Sequence, residues 1–308
     1  MLDCVSGSWA FDLLNKLQIS TTMLAEVFPA GSKVGTLLPA LAETTGLSTD
    51  VAVITPGSHD TASAVAAVPC VDADVCFLSS GTWSLLGCEL DRYETGPEAA
   101  AANFTNELGV GGKIRFLKNI AGLWLVQECR RHWLSQGDEY DYATLTEMAA
   151  NSPSFRTLVN PDWEAFQSPG RMPEKIAEFA QRTAQPVPDS PGAFVRCALE
   201  SLALAYDRTL RMLETITKKH FQTIHIVGGG CKNQLLNQLT ANCTARRVVA
   251  GPSEATALGN GLVQAMTCGE IDDLSHLRRV VRDGSPELQI IEPNQTVPPD
   301  VFDRFHTL

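Results

Sequence analysis

No apolar run in the 308 residues approaches the roughly 18–20 consecutive residues needed to cross a bilayer as a helix, so the composition gives no transmembrane signal. Positive charge is also scarce. Against 35 Asp and Glu stand 24 Lys and Arg, and the net charge of -11 excludes a general affinity for nucleic-acid backbones or anionic membrane surfaces. Metal-spaced cysteines are missing as well. The nine cysteines, at 4, 70, 76, 88, 129, 197, 231, 243 and 268, include no C-x-x-C pair and no histidine partner at zinc spacing, so reduced structural thiols are expected. Met1-Leu2-Asp3-Cys4 lacks a basic stretch followed by an apolar core, from which we expect no secretory signal and a cytoplasmic protein. Low-complexity tracts and internal repeats are not visible. What remains is a chain with 44% hydrophobic and 19% charged residues, long enough for about two globular units.

Along the chain, the first fifty residues carry one short amphipathic stretch, Trp9 to Leu17, and then sequence broken by Pro29 and Gly31. At Val51-Ala52-Val53-Ile54 a buried-strand signal begins, stopped by Pro56-Gly57, and a small-residue helix is predicted over 61–68. The principal boundary is placed here. Two apolar runs, Val75 to Leu78 and Trp83 to Leu86, flank Ser79-Ser80-Gly81-Thr82 and suit a hairpin, with a second hairpin across Gly109 to Gly112. A helix is predicted over 119–133, which would project Asn119 and Gln127, eight residues apart, to one side. Residues 151–192 read as loop around one short helix at 173–182. From Ser190-Pro191 a long helix is predicted to bury Val195, Leu199, Leu202, Tyr206, Leu210 and Leu213. A strand at 223–227, Gly228-Gly229-Gly230, a helix at 233–243, a strand at 248–250 and a helix at 253–267 follow. This alternation implies a parallel sheet with covered faces. Beyond Leu277 the polar, Pro-rich composition predicts a loosely packed tail.

Three segments could carry chemistry. A strand ending in Gly228-Gly229-Gly230 before a helix lets backbone amides approach an anion at the positive end of the helix dipole. It matches neither the dinucleotide fingerprint, which would need glycine where Asn233 stands, nor a Walker A loop, so a tight structural turn is an equal reading. The turn Ser79-Ser80-Gly81-Thr82 offers hydroxyls and amides to phosphate, or bonds only to itself. In Gly57-Ser58-His59-Asp60-Thr61-Ala62, Asp60 precedes a helix and reads as an N-cap or as a general base accepting a hydroxyl proton during phosphoryl transfer. His59 and Thr61 flank it and could bond a polyol. His225, in mid-strand, reads as a backbone-bonded core histidine rather than a ligand.

Taken together and in order, these segments resemble the FGGY carbohydrate kinases of the actin-like ATPase (ribonuclease H-like) superfamily. The resemblance rests on Ser58-His59-Asp60-Thr61-Ala62, Leu78-Ser79-Ser80-Gly81-Thr82-Trp83, Lys118-Asn119-Ile120 with Gly122-Leu123-Trp124, His225-Ile226-Val227-Gly228-Gly229-Gly230-Cys231, and Ala250-Gly251-Pro252 with Glu254-Ala255. Within the family, the rhamnulokinase branch is the nearest likeness. It implies an α/β nucleotide lobe and a kinase acting on the 1-hydroxyl of L-rhamnulose with ATP and Mg²⁺. It also implies Asp60 as proton acceptor, His59, Thr61 and Asn119 beside the sugar, and Thr82, Gln127, Gly228, Gly229 and Gly230 at ATP, with no protein metal ligand assigned. The family's N-terminal lobe opens with an Asp-x-Gly-x-Ser/Thr phosphate loop, and no segment here matches it. The expected organisation is therefore a remnant of the sugar-binding lobe at 1–56, an ATP-binding lobe at 57–290 and a tail at 291–308, inactive alone. Other expectations are a kinase of a different ketose or deoxyketose, or a catalytically silent nucleotide-binding or interaction module. The implied ligands are a small sugar and a nucleotide, without nucleic acid or membrane, and self-association through an exposed lobe interface is expected.

Overall fold

A computed structural model describes residues 1–3, 6–70 and 75–308, so that Cys4 lies outside the described residues. The chain starts with a short antiparallel ribbon, β1 (Leu2–Asp3) with β2 (Ser8–Trp9), then helix α1 (Phe11–Lys16). A second ribbon pairs β3 (Ser32–Thr36) with β4 (Ala52–Thr55) around helix α2 (Pro39–Thr45). Strand β4 is the predicted one. Its partner β3 has a single large apolar residue, Val34, and no buried-strand signal. Among the described residues up to 56 only Leu14 and Ala42 are buried apolar side chains, while Leu13, Leu17, Met23, Leu38, Leu41 and Leu47 are exposed.

From α3 (Asp60–Ala66) onward the chain builds one seven-stranded sheet. Its strands are β5 (Cys76–Ser80), β6 (Trp83–Leu90), β7 (Thr105–Leu108), β8 (Ile114–Ala121), β9 (Thr223–Val227), β10 (Arg247–Ala250) and β11 (Gln289–Ile291), in the order β11-β10-β9-β5-β6-β8-β7. Strands β5, β9 and β10 run parallel, and the remaining pairings are antiparallel. The predicted hairpins are both present: β5 with β6, and β7 with β8 across the one-turn helix Val110–Gly112. The sheet is thus mixed, and parallel only where helices intervene between strands.

Side-chain alternation assigns the two faces. Cys76 and Leu78 of β5 point into a large core with Phe116 and Ile120 of β8, while Phe77 points to the opposite layer with Leu117. The larger layer holds α5 (Trp124–Gln136), α6 (Tyr142–Ala150), α7 (Met172–Arg182), α8 (Pro191–Thr217), α9 (Gln234–Thr244) and α12 (Pro299–His306). The smaller layer holds α3, α10 (Ala255–Thr267) and α11 (Leu274–Gly284). A short helix α4 (Pro97–Ala101) bridges β6 and β7. Ser190 caps α8, its hydroxyl accepting from the Ala193 amide, and all six predicted core residues of that helix are buried.

Two predictions fail. Residues 119–121 belong to β8, and α5 begins at Trp124, because Ile114 to Ala121 pairs residue for residue with β6 along its whole length. The tail is packed, not loose: β11 extends the sheet beside β10, and Leu277, Val281, Val301 and Phe305 are buried. Each helix there spaces its buried pair four residues apart, a weak amphipathic signal inside a polar composition. Helix α6, capped by Asp141 through the Thr144 amide, lay unrecognised between predicted elements. No described helix is long and apolar enough to cross a membrane.

Candidate functional site

Two turns at neighbouring strand ends, those of β5 and β9, form the centre of the site. Gly81-Thr82 closes the β5–β6 hairpin, and the start of α5 docks on its carbonyls: the Leu123 amide donates to Gly81 O at 3.0 Å and the Trp124 amide to Thr82 O at 3.1 Å. This brings the Thr82 hydroxyl, exposed, within 3.1 Å of Gln127 Oε1, to which it donates. Beside it, β9 ends at Val227 and passes through Gly228 (φ 86°, ψ 178°) into the one-turn helix Gly229–Lys232. Asn233 then caps α9, its side chain accepting from the Leu236 amide at 2.9 Å.

The three adjacent glycines are glycine for different reasons. Gly228 occupies a backbone region that only glycine adopts readily. A Cβ on Gly230 would overlap the Ser80 side chain and come within 2.8 Å of the Ser80 carbonyl oxygen. A Cβ on Gly229 would meet nothing within 4 Å. The structural and ligand-contacting readings of the triplet therefore divide by position: packing and torsion account for Gly228 and Gly230, and neither accounts for Gly229.

Thr82, Gln127, Gly229 and Gly230 all line one cleft of ≈ 1020 Å³, walled otherwise by α5, α6 and the start of α9, with Val126, Tyr142 and Leu235 among its apolar faces. Gly228 is not among its lining residues. Beneath the turn, the Ser84 hydroxyl and the Tyr206 phenol are 2.7 Å apart, and burial pushes the Tyr206 pKa up to about 12. Sequence motifs missed three cleft residues, Lys232, Glu147 and Asn233. The first two are lone charged residues without a spacing signature, and the third was read only as a helix start.

A second group of candidates lies at the start of α3. His59 takes the N-cap position without a side-chain cap, and Asp60 is the first helical residue, so the expected capping role of Asp60 is not what is found. Its Oδ1 accepts from the Thr61 amide at 2.7 Å and from the Thr61 hydroxyl at 3.3 Å, and the carboxylate is 75% exposed. Thr61 itself is buried. His59 Nε2 lies 3.5 Å from Asp60 Oδ1, and its Nδ1 lies 3.7 Å from Glu107 Oε2. Glu107 in turn accepts from the buried Arg115 at 2.8 Å. Burial lowers the Arg115 pKa, opposed by Glu107. Neither Glu107 nor Arg115 was legible in the sequence: only the β7–β8 register, which sets them opposite each other, makes the pair.

Asn119 is exposed on β8, opposite Leu85. By strand alternation it shares a face with Leu117, which packs in the α3 layer, so Asn119 and α3 lie on the same side of the sheet. The helical pairing predicted for Asn119 and Gln127 does not exist, since one is on a strand and the other on α5. None of His59, Asp60, Thr61 and Asn119 lines the cleft. His225 is a core residue as expected, but its Nδ1 is buried without a hydrogen-bond partner rather than bonded to the backbone, and burial followed by Arg278 lowers its pKa to about 4.

Comparison with known proteins places this architecture. A rhamnulokinase of Bacteroides thetaiotaomicron is 48% identical over 260 residues, covering 84% of this chain and 52% of that protein. A rhamnulokinase of Oceanobacillus iheyensis is 39% identical over 282 residues, covering 92% and 58%. The chain therefore spans a little over half the length of these curated relatives. Among solved structures, a gluconate kinase from Lactobacillus acidophilus superposes with a TM-score of 0.69 at 17% identity over 99% of this chain and 59% of its own. A Plasmodium falciparum glycerol kinase with ADP gives 0.69 at 13% identity, covering 99% and 59%. These two likenesses establish a shared fold. The C-terminal domain of the FGGY family of carbohydrate kinases matches residues 76–268, more than half of the chain, and the protein belongs to that family.

Proposed function

We propose that this chain is the nucleotide-side part of an ATP-dependent kinase that phosphorylates the 1-hydroxyl of L-rhamnulose. The observation that carries the reading is the convergence of Thr82, Gln127 and Gly229 on one cleft, with Gly229 free of any packing reason to be glycine. Similarity to rhamnulokinases along most of the chain supports the choice of sugar. In this reading the turn amides hold the phosphates together with the Thr82 hydroxyl, which would turn its proton from Gln127 to them on binding. Asp60, exposed at the start of α3, accepts the proton of the sugar hydroxyl. The sugar oxygen then bonds to the γ-phosphorus as the bond to the β,γ-bridging oxygen breaks, releasing ADP. His59, Thr61 and Asn119 belong to the sugar side of the same proposal: His59 and Asn119 are exposed, and the Thr61 hydroxyl acts through Asp60.

Mg²⁺, brought with the nucleotide, would supply charge neutralisation on the transferring phosphoryl group. No residue of this chain is assigned to it in this reading. A cytoplasmic setting suits the unbridged thiols of Cys76, Cys129, Cys197, Cys231, Cys243 and Cys268, all but the last of them buried. The domain limits of 1–56 and 57–290 belong to the same proposal, with the packed helix α12 now attached to the nucleotide lobe. The exposed apolar side chains of 1–56 favour self-association, which sedimentation over a concentration series would register.

The test joins this chain to a lobe bearing the Asp-x-Gly-x-Ser/Thr loop and follows ADP release with L-rhamnulose and with other ketoses. Sugar-dependent release that prefers L-rhamnulose, and that drops by ~10²–10⁴ in Asp60→Asn, is the expected result. Retention of most of the rate in Asp60→Asn would move the base elsewhere, and preference for another ketose would replace the substrate.

A further inference from the structure

The cleft is almost without charge. Of the 17 described residues that line it, Lys232 is the only cation and Glu147 the only carboxylate. They come from different walls: Lys232 ends the one-turn helix begun by Gly229, and Glu147 lies on α6. Lys232 is exposed and takes part in no ion pair among the described residues. Most other basic groups near the sheet are occupied, as Arg115 is by Glu107, Arg278 by Glu89 and Arg246 by Glu214. The Lys232 ammonium is thus the one positive charge that the described lining residues offer to a ligand entering the cleft.

We propose that Lys232 is a specificity-determining residue that contacts a phosphate of the bound nucleotide, so that the cleft selects nucleoside di- and triphosphates over the bare nucleoside. The proposal rests on the nucleotide reading above and adds to it. Three features of the site support it. The other donors among the described lining residues are neutral, among them the Thr82 hydroxyl, which already donates to Gln127, and the first amides of the glycine turn, which have no partner within a turn of this type. A polyanion approaching a strongly acidic protein gains from any local positive charge, and Lys232 is the one the cleft has. Finally, Lys232 is two residues beyond Gly230 on the same turn, so a phosphate seated on those amides lies within reach of its four-carbon stem. Glu147, on the α6 wall, repels phosphate and leaves that wall to the uncharged nucleoside.

Because Lys232 is exposed, its contribution is that of a solvated charge pair, about fivefold in affinity at low salt and less at high salt. The experiment is calorimetric titration of ADP and of adenosine into the 308-residue chain, in wild type, Lys232→Ala and Lys232→Arg, with thermal unfolding as a folding check. The expected result is an about fivefold weaker ADP affinity in Lys232→Ala, recovery in Lys232→Arg, and adenosine binding unchanged in all three. Equal ADP affinity in wild type and Lys232→Ala overturns the proposal, as does a loss of the same size for adenosine, which would place Lys232 against the base or ribose. If the wild type binds neither compound, the nucleotide reading itself fails, and this inference with it.

Discussion

Substituting the three adjacent glycines one at a time separates architecture from ligand contact. At Gly230 even alanine forces its Cβ to within 2.7 Å of the Ser80 Cβ and 2.8 Å of the Ser80 carbonyl, both parts of β5 held in the sheet. Overpacking of this kind costs ~1–3 kcal/mol. At Gly228, φ 86° with ψ 178° is a glycine-only conformation, and alanine there costs ~1–3 kcal/mol. With about 2–4 °C lost per kcal/mol in a domain of this size class, each variant should unfold roughly 2–12 °C earlier. Gly229→Val should behave oppositely. No atom lies within 4 Å of its Cβ, so stability should change by no more than ~0.5 kcal/mol, while the added side chain fills the cleft where the nucleotide approaches. The assay pairs thermal unfolding with calorimetric ADP titration, and the loss of affinity expected for Gly229→Val is at least about tenfold, equivalent to ~1.4 kcal/mol. If Gly229→Val binds ADP as the wild type does, the triplet is a structural turn only. If it unfolds as early as Gly230→Ala, the assignment of its space is wrong.

The remaining predictions concern charge and catalysis. His225 is buried with a pKa of about 4 against an ordinary 6.5, so the folded state favours the neutral ring: its contribution is fully present above pH 6.5 and is lost as pH falls through 4. That amounts to ~3 kcal/mol at 1.36 kcal/mol per unit, and urea midpoints of His225→Phe should lose this part of the acid dependence. Arg278 bonds Glu89 at 2.6 Å with both side chains buried, so Glu89→Gln, which strips the charge opposite a buried guanidinium, should destabilise by ~3–5 kcal/mol in denaturant titrations. Asp60 is exposed and does not cap α3, so Asp60→Asn and Asp60→Ala should both leave the unfolding midpoint within ~0.5 kcal/mol of wild type. The 308-residue chain alone should show no turnover near the ~1–100 s⁻¹ typical of kinases in a coupled ADP-release assay, since the opposing phosphate loop is not among its motifs.

Local chemistry was legible in the sequence wherever one strong signal dominated. Ser190-Pro191 announced α8, Gly81-Thr82 announced the hairpin, and the apolar stretch ending at Gly228 announced β9. Legibility failed where two periods overlapped. Asn119 to Ala121 read as strand only once β6 lies beside them, because Ile120 and Leu123 also fit a helical spacing. It failed again at α12, whose anchors Val301 and Phe305 are two apolar residues in a polar tail and bury themselves only because α8 offers a surface. Of the site, Thr82, Gln127 and Gly229 could be nominated from motif resemblance, yet their meeting in one cleft depends on the docking of α5 on the hairpin carbonyls, a tertiary event. The Arg115–Glu107 pair behind His59 had no signal, since a charged residue in a strand is ordinarily placed on its wet face.

The central claim is that a nucleotide occupies the cleft between the β5–β6 turn, α5, α6 and the glycine turn. Hydrogen exchange of the backbone amides, followed with and without saturating Mg·ADP, tests it most directly, because it locates the ligand without requiring catalysis. Slowed exchange is expected around Gly81 and Thr82, in the first turn of α5 near Gln127, and from Gly229 to Leu235, with β7, β11 and α12 unaffected. Protection confined to other segments, or none at ADP concentrations that saturate binding by calorimetry, would contradict it.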